Sequence, residues 1–159
     1  MATKRTGTEI KPSLHHIQGP YDVITLWHVL EHVTDLNGTI EQLRKILAEN
    51  GTIFIALPNL NSPDASNYKQ HWAAYDVPRH LWHFSRKTLH MLLSKHQLKL
   101  TTTIPMRLDA FYVSLLSQKY LEGTNSLSAM TRAVAQGWKS NHLARQTQEY
   151  SSLIYIASK

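Results

Sequence analysis

Tyr21-Asp22-Val23-Ile24-Thr25-Leu26, running into Trp27-His28-Val29-Leu30-Glu31-His32-Val33, is the stretch whose reading decides the fold. The first six residues are mostly apolar and β-branched, which suits a buried strand, and from Trp27 the pattern becomes that of a turn or helix. Such a sharp change from strand to loop is where α/β proteins place their sites. Downstream, Leu36, Ile40, Leu43 and Leu47 recur at helical spacing, so an amphipathic helix is expected from about Leu36 to Ala48. Glu41 and Lys45 form a favourable i, i+4 pair on it, and Gly51 is expected to end it. Thr52 to Leu57 reads as a second buried strand, which Pro58-Asn59 stops because proline cannot donate to a ladder. Strand, helix and strand with short joints make a parallel, right-handed crossover.

Outward from this unit, residues 1–19 read as a tail with room for a short strand, and 20–159 as one domain. Asn59 to Phe84 reads as an irregular loop rich in aromatics and histidines, of the kind that serves as a lid or binding loop. Ser85 is placed to cap a helix on which Leu89, Leu92, Leu93 and His96 share a face, and a strand follows near Leu98 to Ile104. A third helix is expected from Leu108 and Asp109, with Phe111, Tyr112, Leu115, Leu116 and Tyr120 as its apolar stripe. A fourth runs from about Ser126 to Arg145 with Gly137 as a weak point, and Ser152 to Ser158 reads as the last strand.

The composition narrows the function. The 159 residues include no cysteine, which excludes a disulfide framework, a thiolate metal site and a cysteine nucleophile. No apolar run approaches the length of a membrane span, and Met1 to Arg5 lead into polar sequence, so a soluble, cytoplasmic protein with no membrane partner is expected. The formal charge of +6 comes from scattered pairs such as Arg44-Lys45 and Arg86-Lys87, the pattern of a solvated basic surface more than of a nucleic-acid site.

The order strand, Val29-Leu30-Glu31-His32-Val33, helix, Glu49-Asn50-Gly51, strand, Pro58-Asn59 resembles the second half of class I S-adenosylmethionine-dependent methyltransferases, in the branch with a Val-Leu-Glu-His-Val signature after the fourth strand. Asp76-Val77-Pro78-Arg79-His80-Leu81-Trp82-His83-Phe84-Ser85 is similar to that branch's aromatic and histidine-bearing segment. The fold class implied is α/β, a partial Rossmann-like methyltransferase sheet whose strands correspond to four to seven of the family's seven, with flanking helices. In the family a glycine-rich loop after the first strand holds the methionine part of S-adenosylmethionine. The six glycines here, at 7, 19, 38, 51, 123 and 137, contain no Gly-x-Gly turn, so the chain reads as the C-terminal portion of such an enzyme without that loop.

By the same resemblance Leu26, Trp27, His28 and His32 flank the cofactor, while Pro58, Asn59, Trp72, Arg79 and His83 face a small-molecule acceptor. His28 and His80 are the candidates for a base that takes a proton during in-line attack on the sulfonium methyl. The competing reading is a catalytically silent remnant of the fold that acts as a binding or structural module. A truncated sheet would bare the edge of the first strand, to be covered by the tail around Thr8 to Ile17 or by a second copy of the chain in a homodimer.

His28-Val29-Leu30-Glu31-His32 also fits the H-x-x-E-H pattern of inverted zinc peptidases. It sits directly behind a strand and not within a long helix, which speaks against that reading. Sequence alone does not bring His28, His32, His80 and His83 together as a four-histidine site, and no metal is expected. Trp72, Tyr75, Trp82 and Phe84 as stacking platforms for nucleic acid have too few arginines among them.

Overall fold

The computed structural model describes residues 11, 13–124 and 126–159. Its strands are β1 (Tyr21–Trp27), β2 (Leu47–Pro58), β3 (Lys99–Pro105) and β4 (Ser152–Ser158), and its α-helices are α1 (Leu36–Ile46), α2 (Pro63–Tyr68), α3 (Arg86–Lys95), α4 (Asp109–Glu122) and α5 (Leu127–Thr147). The sheet order is β1-β2-β4-β3. β1 and β2 are parallel, and β4 runs antiparallel between β2 and β3. The expected partial sheet is therefore present as a mixed one, with a single strand reversed.

α1 forms where the heptad-like spacing predicts it. Asp35 accepts a hydrogen bond from the Gly38 amide at 2.9 Å, Leu36, Ile40, Leu43 and Ile46 face inward, and Lys45 pairs with Glu41 at 3.0 Å on the exposed side. Gly51 does not end this helix. The chain passes into extended conformation at Leu47, whose buried side chain anchors the turn of direction, and Gly51 lies inside β2. There a side chain would meet the Tyr21 carbonyl oxygen at 2.9 Å, at the irregularity where the pairing steps from Tyr21–Leu47 to Val23–Thr52.

The main core is built from Ile53, Ile55 and Leu57 of β2, Leu153 and Tyr155 of β4, Leu30, Ile40 and Leu43 beneath β1, and Leu89 and Leu93 of α3. Each fully buried aliphatic chain here stabilises the fold by roughly 1.5–3 kcal/mol. β1 is less buried than its composition suggests: Leu26 is covered, whereas Tyr21, Val23 and Trp27 are exposed. Among the described residues no strand pairs with its outer edge. The tail expected over residues 1–19 falls mostly outside the described residues; from Ser13 it forms a single 3₁₀ turn, Leu14–His16, with Leu14 against the core.

The segment after β2 is more ordered than its irregular sequence implies. Ser62 caps α2 by accepting from the Ala65 amide, Pro63 supplies the first helical residue, and 3₁₀ turns follow at Lys69–His71 and Ala73–Tyr75. These turns enclose a second cluster of Ala65, Tyr68, Trp72, Ala73, Ala74 and Val113. α4 and α5 form a hairpin, but α4 does not bury the large stripe expected of it. Its buried residues are Ala110, Val113, Ser114, Ser117 and Gln118, those of α5 are Ala129, Ala133, Gly137, Ser140 and Ala144, and Tyr112 and Tyr120 point to solvent. Small residues win this face because they let the two backbones approach. A side chain on Gly137 would lie 2.9 Å from Phe111 Cα, so Gly137 is a contact point and not a weak one.

Candidate functional site

The parallel strands β1 and β2 end side by side at Trp27 and Pro58, and ligands of open α/β sheets bind beyond such carboxyl ends. Here β1 ends sharply. His28 adopts a left-handed backbone with φ 52°, and a 3₁₀ turn, Leu30–His32, turns the chain toward the segment before α3. The Leu81 and Trp82 amides both donate to the Glu31 carbonyl, and the Trp82 indole donates to the Val33 carbonyl at 2.7 Å. Residues distant in sequence are thereby locked against the end of β1.

This lock assembles a cluster of carboxylates and imidazoles. Glu31 is 1% exposed; its Oε1 lies 3.2 Å from His28 Nδ1 and 4.0 Å from His80 Nε2, and its Oε2 has no hydrogen-bond partner among the described residues. His28 Nε2 is 3.6 Å from Asp109 Oδ2 at the start of α4. Held first by Asp109 and then by Glu31, the His28 imidazole has its pKa pushed up to about 9 and is a cation at neutral pH. In that state His28 donates hydrogen bonds, and acting as a base would require it first to give up this proton.

His32 and His80 are oriented alike. His32 Nδ1 donates to the Arg79 carbonyl at 2.9 Å and His80 Nδ1 to the Ala74 carbonyl at 2.8 Å. The rings meet edge to face with centroids 4.7 Å apart. A carbonyl only accepts, so each Nδ1 carries a proton and it is Nε2 that is left to accept or to ligate. His80 Nε2 is also 3.8 Å from Asp76 Oδ2, and Arg79 clamps that carboxylate through Oδ1 at 2.6 Å.

The remaining expected residues divide into two sets. Trp27 is exposed at the end of β1, and Pro58, half-buried at the end of β2, lies beside His80 and His83. His83 Nε2 donates to the Tyr75 carbonyl at 2.9 Å, and its ring lies edge-on to that of His80 with centroids 6.4 Å apart. Leu26 belongs to the main core. Asn59 is completely buried, its amide donating to Glu149 at 2.8 Å and to the Tyr150 carbonyl at 3.1 Å, so its side chain is spent within the protein. Trp72 is likewise buried and donates to Asp64 at 2.8 Å.

Sequence reasoning named His28, His32 and His80, placed Glu31 only within the competing H-x-x-E-H pattern, and gave no role to Asp109 or Asp76. Glu31 stood within the quoted signature, and its place between two histidines was the available signal; nothing in the sequence pairs Asp109 with His28. Beyond Asp76 an open cleft of ≈ 920 Å³ is lined by Leu60, Ser66, Lys69, Trp72, Tyr75 and Tyr120, among others. The helical H-x-x-E-H geometry is not formed, because His28 leaves helical conformation and the turn holding His32 is three residues long.

Three parallel-running strands, one reversed strand and a polar cluster beyond the ends of β1 and β2 define a Rossmann-like domain of the methyltransferase type. The chain belongs to the methyltransferase domain family, whose model matches residues 4–103, more than half of its length. None of the curated proteins matches it. Among solved structures it is similar to the [4+2]-cyclase SpnF, with TM-score 0.57 and 13% identity over 99% of this chain and 59% of that one. It is similar also to the cyclopropane synthase MmaA2 from Mycobacterium tuberculosis, with TM-score 0.54 and 11% identity over 99% and 65%. A third is phosphoethanolamine N-methyltransferase 2 of Haemonchus contortus, in complex with phosphomonomethylethanolamine and S-adenosylhomocysteine, with TM-score 0.50 and 12% identity over 92% and 36%. At such identities the likeness is one of fold, and the chain spans less than two thirds of the length of each of these three proteins. Among the described residues no helix is long and apolar enough to cross a membrane.

Proposed function

We propose that the chain serves methyl transfer from S-adenosylmethionine to a small-molecule acceptor, with the acceptor in the cleft beside Trp72, Tyr75 and Asp76. The observation that carries this reading is the family match across residues 4–103, which takes in the end of β1, the end of β2 and the whole histidine-bearing segment. S-adenosylmethionine would supply an electrophilic methyl group on its sulfonium. The chain's own part is positional: Trp27 and His28 flank the cofactor side, aromatic walls orient the acceptor, and Asp76, shared by the cleft and the His80 contact, links the acceptor to the imidazoles. Arg79 holds Asp76 in place from the solvent side.

Calorimetric titration of S-adenosylmethionine and S-adenosylhomocysteine into the chain tests this. Micromolar, saturable binding is expected. No binding would sink the enzyme reading for this chain and favour the silent module, a reading supported by the outer edge of β1, with which no strand pairs among the described residues.

A further inference from the structure

One ring nitrogen each of His32 and His80 and a Glu31 carboxylate oxygen converge, the three atoms lying within 4.8 Å of one another. Two further observations bear on what this convergence is for. Each ring is fixed through Nδ1 on a backbone carbonyl, which is how the protein orients an imidazole whose Nε2 ligates a metal. Independently, Glu31 is 1% exposed and its Oε2 has no hydrogen-bond partner among the described residues, an arrangement that costs about 1–3 kcal/mol or more for a charged oxygen until something positive meets it. Among the described residues the ion-pair partners of Glu31 are His28 on Oε1 and, at 4.0 Å, His80, and none is a Lys or Arg.

We propose that Glu31, His32 and His80 bind a divalent first-row transition metal ion, with His28 and Asp76 as the outer groups that orient the set. Two imidazole nitrogens and one carboxylate oxygen suit Zn²⁺, Mn²⁺ or Fe²⁺, whereas Mg²⁺ and Ca²⁺ prefer all-oxygen cages. Metal bonds of about 2.0–2.2 Å require the three ligand atoms to close by about 1 Å. The exposed His32 ring, on a short turn, is the member able to move. Its exposure also leaves the remaining coordination positions open to water or to an acceptor oxygen. The site stands on these residues whether or not the chain transfers methyl groups.

The test is calorimetric titration of Zn²⁺ into the full chain after dialysis against a chelator, alongside proton NMR of the histidine rings with substoichiometric Mn²⁺. One ion per chain is expected at micromolar affinity or tighter. Mn²⁺ is expected to broaden the ring signals of His32 and His80 and to leave His90 and His142 sharp. Glu31→Gln and His32→Ala should each weaken binding by at least about 10–100-fold, the loss that even outer partners of a ligand carry. His83→Ala, whose ring serves the Tyr75 carbonyl, should not. His32→Ala alters an exposed side chain and keeps the test valid if Glu31→Gln fails to fold. Absence of saturable binding, unchanged affinity in His32→Ala, or broadening centred on other histidines would overturn the site. None of these readouts depends on S-adenosylmethionine, so this site and the methyl-transfer reading fail separately.

Discussion

The sheet core and the α4–α5 hairpin solve the packing problem in opposite ways. Around β2 and β4 the core is filled by large branched and aromatic chains, among them Ile53, Ile55, Leu57, Leu153 and Tyr155, all essentially inaccessible. The buried faces of α4 and α5 carry mostly small residues, Ala110, Val113, Ser114 and Ser117 on one and Ala133, Gly137, Ser140 and Ala144 on the other, and the helices approach most closely where Gly137 meets Phe111 and the Ala110 carbonyl. The hairpin's large residues, Leu108, Tyr112, Leu127 and Trp138, are more than 60% exposed. The sheet is held by volume, and the hairpin by close approach of two backbones and by polar ties.

The strongest tie joins the two regions, and its loss should have the largest effect. Asp64 is fully buried and accepts from the Trp72 indole at 2.8 Å, Ser140 Oγ at 2.7 Å and Ser151 Oγ at 2.7 Å, thereby linking α2, its following loop, α5 and the lead into β4. Asp64→Ala would strand three buried donors at roughly 1–3 kcal/mol each, so a loss of about 4 kcal/mol in urea unfolding is expected. Asp64→Asn, which keeps one carbonyl oxygen, should lose less. Equal losses would mean that volume and not hydrogen bonding sets the cost.

Next in size are two substitutions that set the packing modes against each other. Ile55→Ala in the sheet core should cost about 2–5 kcal/mol through the cavity it opens. Gly137→Ala in the hairpin adds one methyl where Phe111 Cδ1 and Cα would lie 2.8 and 2.9 Å away, and overpacking of this kind costs about 1–3 kcal/mol. Thermal melts of both variants check the pair. A stabilised Gly137→Ala would break the comparison, since helix propensity alone favours alanine and only a tight contact reverses the sign.

The same contrast explains what the sequence made legible. β1, α1, β2, α3, β3 and β4 are all set by apolar spacing and β-branched runs, and their positions emerge within a few residues. Where packing uses small residues, that signal inverts: Phe111, Tyr112, Leu115, Leu116 and Tyr120 form the visible stripe of α4, yet Ala110, Ser114 and Ser117 face inward. Gly51 sits where a helix terminator would, but it answers the Tyr21 carbonyl in the neighbouring strand, a contact no local pattern encodes. α2 was hidden because its cap, Ser62-Pro63, opens a helix of only six residues inside an aromatic segment. In the site, His28, His32 and His80 could be singled out by type. The carboxylates that define their environment come from a turn, a loop and a helix start far apart in the chain, and only the tertiary fold pairs Asp109 with His28.

The smallest expected effect gives the finest test of whether the two regions also unfold separately. Ser126 begins α5 by accepting from the Ala129 amide at 3.1 Å, and removing such a cap costs about 0.5–2 kcal/mol. α5 is 21 residues long, and a helix held mainly by small-residue contacts offers little apolar burial to couple its opening to the sheet. In Ser126→Ala the amides of α4 and α5 should therefore exchange faster by about fivefold, the factor that about 1 kcal/mol carries, while those of β2 and β4 keep their rates. Asp64 argues the other way, because Ser140 on α5 cannot leave without baring a buried carboxylate that also serves the lead into β4. Equal acceleration in the strands would show that this single carboxylate binds hairpin and sheet into one cooperative unit, whereas acceleration confined to the hairpin would show that close approach of small residues leaves α4 and α5 free to open first.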